Sequence, residues 1–322
     1  MVQEGHVETR EGVKGGNSPE FDVVGMGLNA VDHLCVVPRF PRYEEKLRME
    51  EFRRGGGGQV ASAMVACSRW GLRAAYIGKV GDGELGAFSL ASLRDEGVDV
   101  GAVVAVEATL NQLAFILIDA TTGERTIIWT RDDRLRMAPD EVPLPYIARG
   151  RILLLDGHDA PAAAYAAREA SRLGLTVVVD AETVKEGTHQ MVAAAHYVVA
   201  SSEFPQRFTG KADWVEALSE IRKGGALCAV ATLGRLGSVC LCGDRVIETP
   251  GFKVDCVDST GAGDVFHAGF VYGLAMGWDI EQTLEFSNAA AALNCTEIGA
   301  RAGIKPPDVI FALMKSGDRW KI

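Results

Sequence analysis

The segment "VDCVDSTGAGDVFHAGF", residues 254–270, sets a glycine-rich turn directly against an apolar run. From Val265 to Met276 apolar residues recur at helical spacing, so Gly261-Ala262-Gly263 falls where a helix begins. Backbone N–H groups in a first helical turn lack partners, and the macrodipole makes that end positive. Glycines there let an anion reach the bare backbone. Asp264, the next residue, is either an acid that suits the dipole or a base held beside a bound phosphate. The segment alone leaves both readings open.

Outward from it, short apolar runs alternate with helical patterns. "DVVGMG" (22–27), "RILLLDG" (151–157), "TVVVDA" (176–181), "YVVAS" (197–201) and "LCAVATL" (227–233) read as buried strands. Between them lie "GQVASAMVACSRWG", "ELGAFSLASLRDEG", "PAAAYAAREASRLG" and "DWVEALSEIRKGG", which read as amphipathic helices. Continuous apolar strands separated by such helices predict an α/β, doubly wound, mostly parallel sheet covered on both faces. Residues 31–56 and 111–131 break the rhythm. The second, "NQLAFILIDATTGERTIIWTR", reads as a hairpin turning at Thr122-Gly123-Glu124, and neither region has a helix between its strands. They predict a small separate sheet, serving as a lid or a subunit interface. Asp279 with Gln282 three residues on predicts a capped helix, and "KPPDVIFALMK" a last helix entered through prolines.

The 322 residues are 48% hydrophobic and 24% charged, an ordinary globular composition, and no apolar run has the length of a membrane span. A net charge of −10 argues against a general nucleic-acid binder. Residues 1–20 are polar without a secretory apolar core, which predicts a flexible tail and a cytoplasmic protein. Seven cysteines without a C-x-x-C, most in apolar stretches, predict reduced buried thiols, and the Asn294-Cys295-Thr296 sequon is then irrelevant.

Gly25, Gly27 and Ala30 have the spacing of a dinucleotide fingerprint, but Pro38 and Pro41 follow where a Rossmann fold needs a helix. A turn at a strand end is the better reading. No P-loop or H-E-x-x-H motif is present. His158 and His189 read as ordinary polar residues, and His267, one turn after Asp264, as a packing or a site residue.

Four segments in chain order, "NAVDHLCVVPRFP", "GGQVASAMVACSRWG", "ATLGRLGSVC" and "DSTGAGDVFHAG", resemble the PfkB-type carbohydrate kinases of the ribokinase-like superfamily. The resemblance runs from about residue 21 to 315, and the D-[ST]-T-G-A-G-D element is its most specific part. It implies a ribokinase-like three-layer α/β/α domain over 21–322, with lid segments near 31–56 and 108–133. It also implies γ-phosphoryl transfer from ATP to a primary sugar hydroxyl, Asp264 being the base and the Gly261-Ala262-Gly263 backbone the anion hole. Asn29, Asp32, Gly57, Gly58 and Ser62 correspond to sugar-binding positions, although relatives often carry Asn where this chain has Ser62. Thr232, Gly234, Gly237 and Asn288 correspond to nucleotide-binding positions. Asp258 and Thr260 resemble the start of a potassium loop. Glu203 matches the acid of an N-x-x-E element tied to Mg2+, with Ala200 where the asparagine belongs.

The resemblance implies ATP and Mg2+ as cofactors, with K+ a further candidate, and a homodimer formed through the lid sheet. The ketohexokinase and sulfofructose-kinase branches look nearest, which puts a ketose first, with ribose, nucleosides and phosphosugars or sulfosugars open. Arg42, Lys46, Arg48, Arg53 and Arg54 in the lid read either as anion-recognising or as solvated strand ends. A weak nucleotide or sugar sensor is the rival reading, resting on the lost asparagine.

Overall fold

The computed structural model describes residues 19–321. The expected flexible tail lies, but for its last two residues, outside the described residues. The chain runs β1 (Phe21–Met26), β2 (Ala30–Val37), β3 (Glu51–Gly57), α1 (Gln59–Arg69), β4 (Ala74–Gly81), α2 (Glu84–Arg94) and β5 (Asp99–Val106). Next come β6 (Leu113–Asp119), β7 (Arg125–Thr130), α3 (Leu144–Ile147), β8 (Gly150–Asp156), α4 (Ala160–Arg172), β9 (Thr176–Ala181) and α5 (Thr188–Ala193). Then follow β10 (Tyr197–Ala200), α6 (Phe204–Thr209), α7 (Trp214–Lys223), β11 (Cys228–Thr232), β12 (Gly237–Cys242) and β13 (Arg245–Pro250). Helices α8 (Ala262–Met276), α9 (Ile280–Asn294) and α10 (Pro307–Ser316) close it.

Nine strands form one sheet in the order β13-β12-β11-β10-β9-β8-β1-β4-β5. Its pairings are parallel except those made by β12, which runs antiparallel to both neighbours. Each face carries its own core, because successive strand side chains point to opposite sides. Val24, Leu153 and Val177 pack with Ala163, Ala167 and Leu218 of α4 and α7. Val23, Leu154 and Val178 pack with Met64, Phe270 and Phe286 of α1, α8 and α9. This is the three-layer α/β/α arrangement that the alternating sequence pattern predicts.

The two regions that break the pattern form a second sheet, β3-β2-β6-β7. Gly25 lies within β1, and after a bend at Gly27 the chain enters β2, a strand, so no Rossmann helix starts there. The sheet's inner face buries Leu34, Val36, Ala114, Ile116 and Ile118 against Ile298. At its tip Arg125 hydrogen-bonds Ser259, so the hairpin rests on the turn ahead of α8.

One expectation is corrected. The seven cysteines are not all free thiols: Cys228 and Cys242 lie opposite each other across the β11–β12 pair, 4.3 Å apart at Cα, and are joined in a disulfide. Directly opposed antiparallel positions bring side chains close enough for such a bond, which apolar composition alone does not reveal. Cys67 and Cys240 are buried thiols, as expected.

Candidate active site

The residues singled out in the sequence gather at the carboxyl ends of the central strands, where open parallel sheets bind ligands. Helix α8 starts from Gly261, whose φ of 76° is left-handed, and Asp264 occupies its first turn. Gly263 is exposed and Asp264 keeps an open edge. Burial of the carboxyl and the nearby acid Asp180 push Asp264 up to about 7, against the pull of His267. A carboxyl poised there is suited to accept a proton at neutral pH.

Asp32 projects from β2 and is 5% exposed. Burial raises it to about 6; Arg301 and Arg125 oppose the rise and Asp258 adds to it. Gly57, at the end of β3, allows this placement: a Cβ there would lie 2.0 Å from Asp32 Oδ2. Gly58 has φ 89°, and a Cβ on it would meet the Leu28–Asn29 backbone at 2.5–2.6 Å. The Gly-Gly pair therefore does permit close approach, and in this structure the approaching groups are the Asp32 carboxylate and that backbone.

Two of the expected sugar-binding residues have partners within the protein. Ser62 is fully buried on α1, and its hydroxyl accepts from Arg301 Nε at 3.2 Å. Asn29 turns into the core, where Nδ2 donates to Tyr76 and Lys79 O and Oδ1 accepts from Ser89. Internal partners take both amide hydrogens, which hold the end of β1 and the start of β2 against β4.

On the nucleotide side, Thr232 ends β11, its hydroxyl donating to Ala200 O at 3.3 Å. The turn Gly234–Leu236 leads into Gly237, whose φ of 111° sets it against Thr249 O and Gly251 N, where a Cβ would sit 2.1 and 2.5 Å away. Asn288 is buried on α9 and donates to Ser238 Oγ, Leu284 O and Thr249 O, tying the helix to β12 and β13. Its amide hydrogens are thus spent on the walls of the site.

Asp258 is wholly buried and accepts from Thr260 N, Thr260 Oγ1 and Gly299 N. Asn294 Nδ2 donates to Thr260 O and Ala300 O. Together they staple residues 258–260 to the loop at 299–300. The carboxylate of Asp258 is occupied by protein donors, whereas Asn294 Oδ1 is buried without a partner among the described residues. The two carbonyls of this loop, Thr260 O and Ala300 O, are taken up by Asn294 Nδ2, on the other branch of the amide. Glu203 stands at the N-terminus of α6, exposed and ion-paired with Arg207. Among the described residues no three His, Cys, Asp or Glu side chains form a metal-holding group. Magnesium arriving on nucleotide phosphates, with Glu203 reached through water, is what these side chains fit.

The structure adds residues that sequence reasoning missed. Asp156 is the last residue of β8 and Asp180 the last but one of β9, and the signal was present: two apolar strands each with an aspartate at its carboxyl end. Asp156 accepts from Leu28 N and His158 N. Gln59 donates to Asp180 and Glu182. His267 Nδ1 donates to Gly263 O at 2.6 Å, leaving Nε2 3.4 Å from Asp180 Oδ1. Burial with Asp156 and Glu182 nearby holds Asp180 well above the carboxylate range, and burial lowers His267. Nε2 is also 3.3 Å from Val199 O, so both ring nitrogens face carbonyl oxygens. Arg301, buried between Asp32 and Asp264 in charge influence, carried no sequence signal.

The model of the pfkB family carbohydrate kinases matches residues 21–306. An ATP-dependent ribose-1-phosphate kinase of Halopiger xanaduensis is 29% identical over 275 residues, covering 83% of this chain and 89% of its own. A ribokinase of Haemophilus influenzae is 25% identical over 288 residues, covering 87% and 94%. The crystal structure of a ribokinase from Thermotoga maritima superimposes with a TM-score of 0.80 over 92% of this chain and 100% of that one, at 21% identity, a likeness of fold. These relatives lend no specific support to the ketohexokinase branch. The strand order, the Gly261–Asp264 helix entry and the match over nearly all described residues agree: the chain belongs to the PfkB family of carbohydrate kinases and is a phosphotransferase of the ribokinase fold.

Proposed function

We propose that the chain phosphorylates a primary hydroxyl of a ribose-like or ketose sugar, free or already phosphorylated, with ATP as donor and Asp264 as base. The observation that carries this is the carboxyl of Asp264, raised to about 7, one turn into a helix whose first residues are open glycine and alanine backbone. The hydroxyl gives its proton to Asp264 while its oxygen forms the new bond to the γ-phosphorus. The bond to the β-phosphate oxygen breaks, and ADP leaves with that electron pair. Backbone N–H groups of Gly261, Ala262 and Gly263 receive the charge spread over the phosphoryl oxygens, and preorganised donors of this kind cost no reorganisation. Asp32 accepts hydrogen bonds from sugar hydroxyls, for which an ionised carboxylate is well suited. Thr232, Gly234 and Gly237 line the nucleotide side. Glu203 would hold a magnesium ion carried by the nucleotide through water, and the ion would supply charge neutralisation at the phosphates.

Potassium at the Asn294 oxygen would stiffen the turn that carries the anion hole. The outer face of the lid sheet supports self-association. His33 stacks on Phe115 and Phe52 at 4.9 and 5.8 Å, and Phe52, Phe115 and Ile128 are 53%, 47% and 60% exposed. A contiguous apolar face of this kind marks an interface.

The test is ATP consumption against D-ribose, ribose 1-phosphate, D-fructose and nucleosides, with magnesium, with and without potassium. Sugar-dependent turnover that rises with potassium and disappears in Asp264→Asn is the expected result. ATP binding without turnover on any of these acceptors overturns the reading and favours a sensor.

A further inference from the structure

Arg301 lies in the loop after α9 and is enclosed on every side. Nε donates to Ser62 Oγ at 3.2 Å, Nη1 to Ser92 Oγ at 3.2 Å and Ser92 O at 3.4 Å, and Nη2 to Gly57 O at 2.9 Å. All these acceptors are neutral, and Arg301 forms no ion pair with a carboxylate among the described residues. A buried guanidinium without a contacting counter-ion is costly, so surface solvation does not account for it. Its seat is cut to shape: a Cβ on Gly56 would lie 2.5 Å from Nη1. The "GGGG" run thereby divides its work, with Gly56 admitting the guanidinium, Gly57 admitting the Asp32 carboxylate, and Gly58 turning the chain into α1.

We propose that Arg301 is a positioning residue for sugar binding: its fork locks the Gly57 carbonyl and Ser62, and so sets the glycine backbone and the Asp32 carboxylate packed against it. The inference rests on Asp32 being the sugar-binding carboxylate. Asp32 is faced by Asp258 from the turn ahead of α8, by Asp264 from α8, by Arg125 from β7 and by Arg301. Burial and Asp258 press against its ionisation, and Arg301 is the larger of the two opposing cations. The serine at 62 belongs to the same device. Its hydroxyl accepts from Nε, whereas an asparagine there would turn a donor or a longer side chain at the guanidinium.

The experiment uses the full chain and whichever of D-ribose, ribose 1-phosphate and D-fructose the wild type turns over fastest. Sugar affinity is measured by calorimetry from pH 5.5 to 8.5 in an Asp264→Asn background, which removes the base's own titration. Replacing Arg301 with Met moves the pH at which sugar affinity is half-lost upward by one unit or more. With Asp32 starting at about 6, a one-unit rise weakens affinity about twofold at pH 7 and roughly eightfold at pH 5.5, where the loss of ionisation approaches the full factor of ten per pKa unit. In the otherwise wild-type enzyme KM for the sugar rises while KM for ATP stays within twofold. Arg301→Lys retains the charge and loses the fork, so its pH midpoint stays near the parent's while affinity drops at every pH. Gly56→Ala, which pushes on Nη1, weakens sugar affinity without removing any charged group.

Should Arg301→Met fail to fold, Arg301→Lys and Gly56→Ala decide. The proposal is overturned if sugar affinity and its pH midpoint are unchanged in the folded variants, or if sugar and ATP affinities fall together. A wild type with no sugar-dependent turnover overturns the kinase reading instead, which keeps the two failures apart.

Discussion

Alanine at Gly263 and alanine at Gly261 have opposite structural consequences, and the contrast tests whether this turn holds phosphate. At Gly263 a Cβ meets nothing within 4 Å and the backbone is helical. Alanine there gains about 0.5–1 kcal/mol from helix propensity. For a chain of this size that raises Tm by about 1–3 °C. The empty space beside Gly263 is, however, where a phosphoryl oxygen would reach the backbone. A methyl group there displaces the phosphate by about 1 Å, and misplacement on that scale costs on the order of 10²-fold in rate. Gly263→Ala is therefore expected to be more stable and nearly inactive, with KM for ATP raised.

Gly261 differs on every count. Its φ of 76° costs an alanine about 1–2 kcal/mol. Its Cβ would stand 2.4 Å from Ala300 O, so turn and loop must part by about 1 Å to restore an ordinary 3.4 Å contact. Gly261→Ala is expected to lose both stability and activity. The assays are calorimetric Tm and steady-state kinetics in both substrates. Gly263→Ala with kcat and KM for ATP within threefold of wild type would refute the anion-hole assignment, whatever Gly261→Ala does.

Other outcomes follow from single contacts. With Asp264 at about 7, kcat/KM rises with pH through that value and levels off above it, because only the carboxylate accepts the proton; Asp264→Asn loses about 10²–10⁴-fold in kcat. A carboxyl raised in the folded state from 3.8 to about 7 binds more protons folded than unfolded in that window, so it loses stability as pH rises. The Tm gain of Asp264→Asn over wild type should then grow between about pH 4 and pH 7 and stay level beyond, and a gain independent of pH contradicts the raised value. Gly57→Ala drives a methyl into Asp32 Oδ2 and is expected to raise KM for the sugar at least tenfold with KM for ATP unchanged; equal effects on both would count against Asp32 as the sugar's partner. Phe115→Asp on the outer lid face should convert a dimer into monomers by light scattering, and a wild type already monomeric removes that role from the face.

The layered fold was legible because burial on both faces leaves continuous apolar strands. The runs at 22–27, 151–157, 176–181 and 197–201 coincide with β1, β8, β9 and β10 to within a residue or two. Strand β4, "AAYIGKVG", did not announce itself, since Gly78 and Lys79 interrupt the apolar pattern. Strand β5 sits at the sheet's edge with half its residues exposed, which blurs any periodicity. Backbone shape was legible at Gly57, Gly58 and Gly261, where a Cβ would collide with its neighbours. What the sequence does not carry is a side-chain partner far away along the chain. Ser62 accepts from a residue 239 positions on, and Asn29 from one 60 positions on. Arg301 reads in isolation as a solvated loop charge; only the folded chain shows it sealed under two glycines.

The hairpin tip has a consequence for order of events. Arg125 grips Ser259, and Gly123 packs so close to Val257 and Cys256 that a Cβ would meet their carbonyls at 3.0 Å. The small sheet is therefore not a free flap but one arm of a rocker whose pivot is shared with the phosphate turn. Swinging it aside must either part Arg125 from Ser259 or drag residues 256–259 along. Displacement of the hairpin would thus be transmitted to the turn that starts α8, and loss of the Arg125 link would leave the two to move separately.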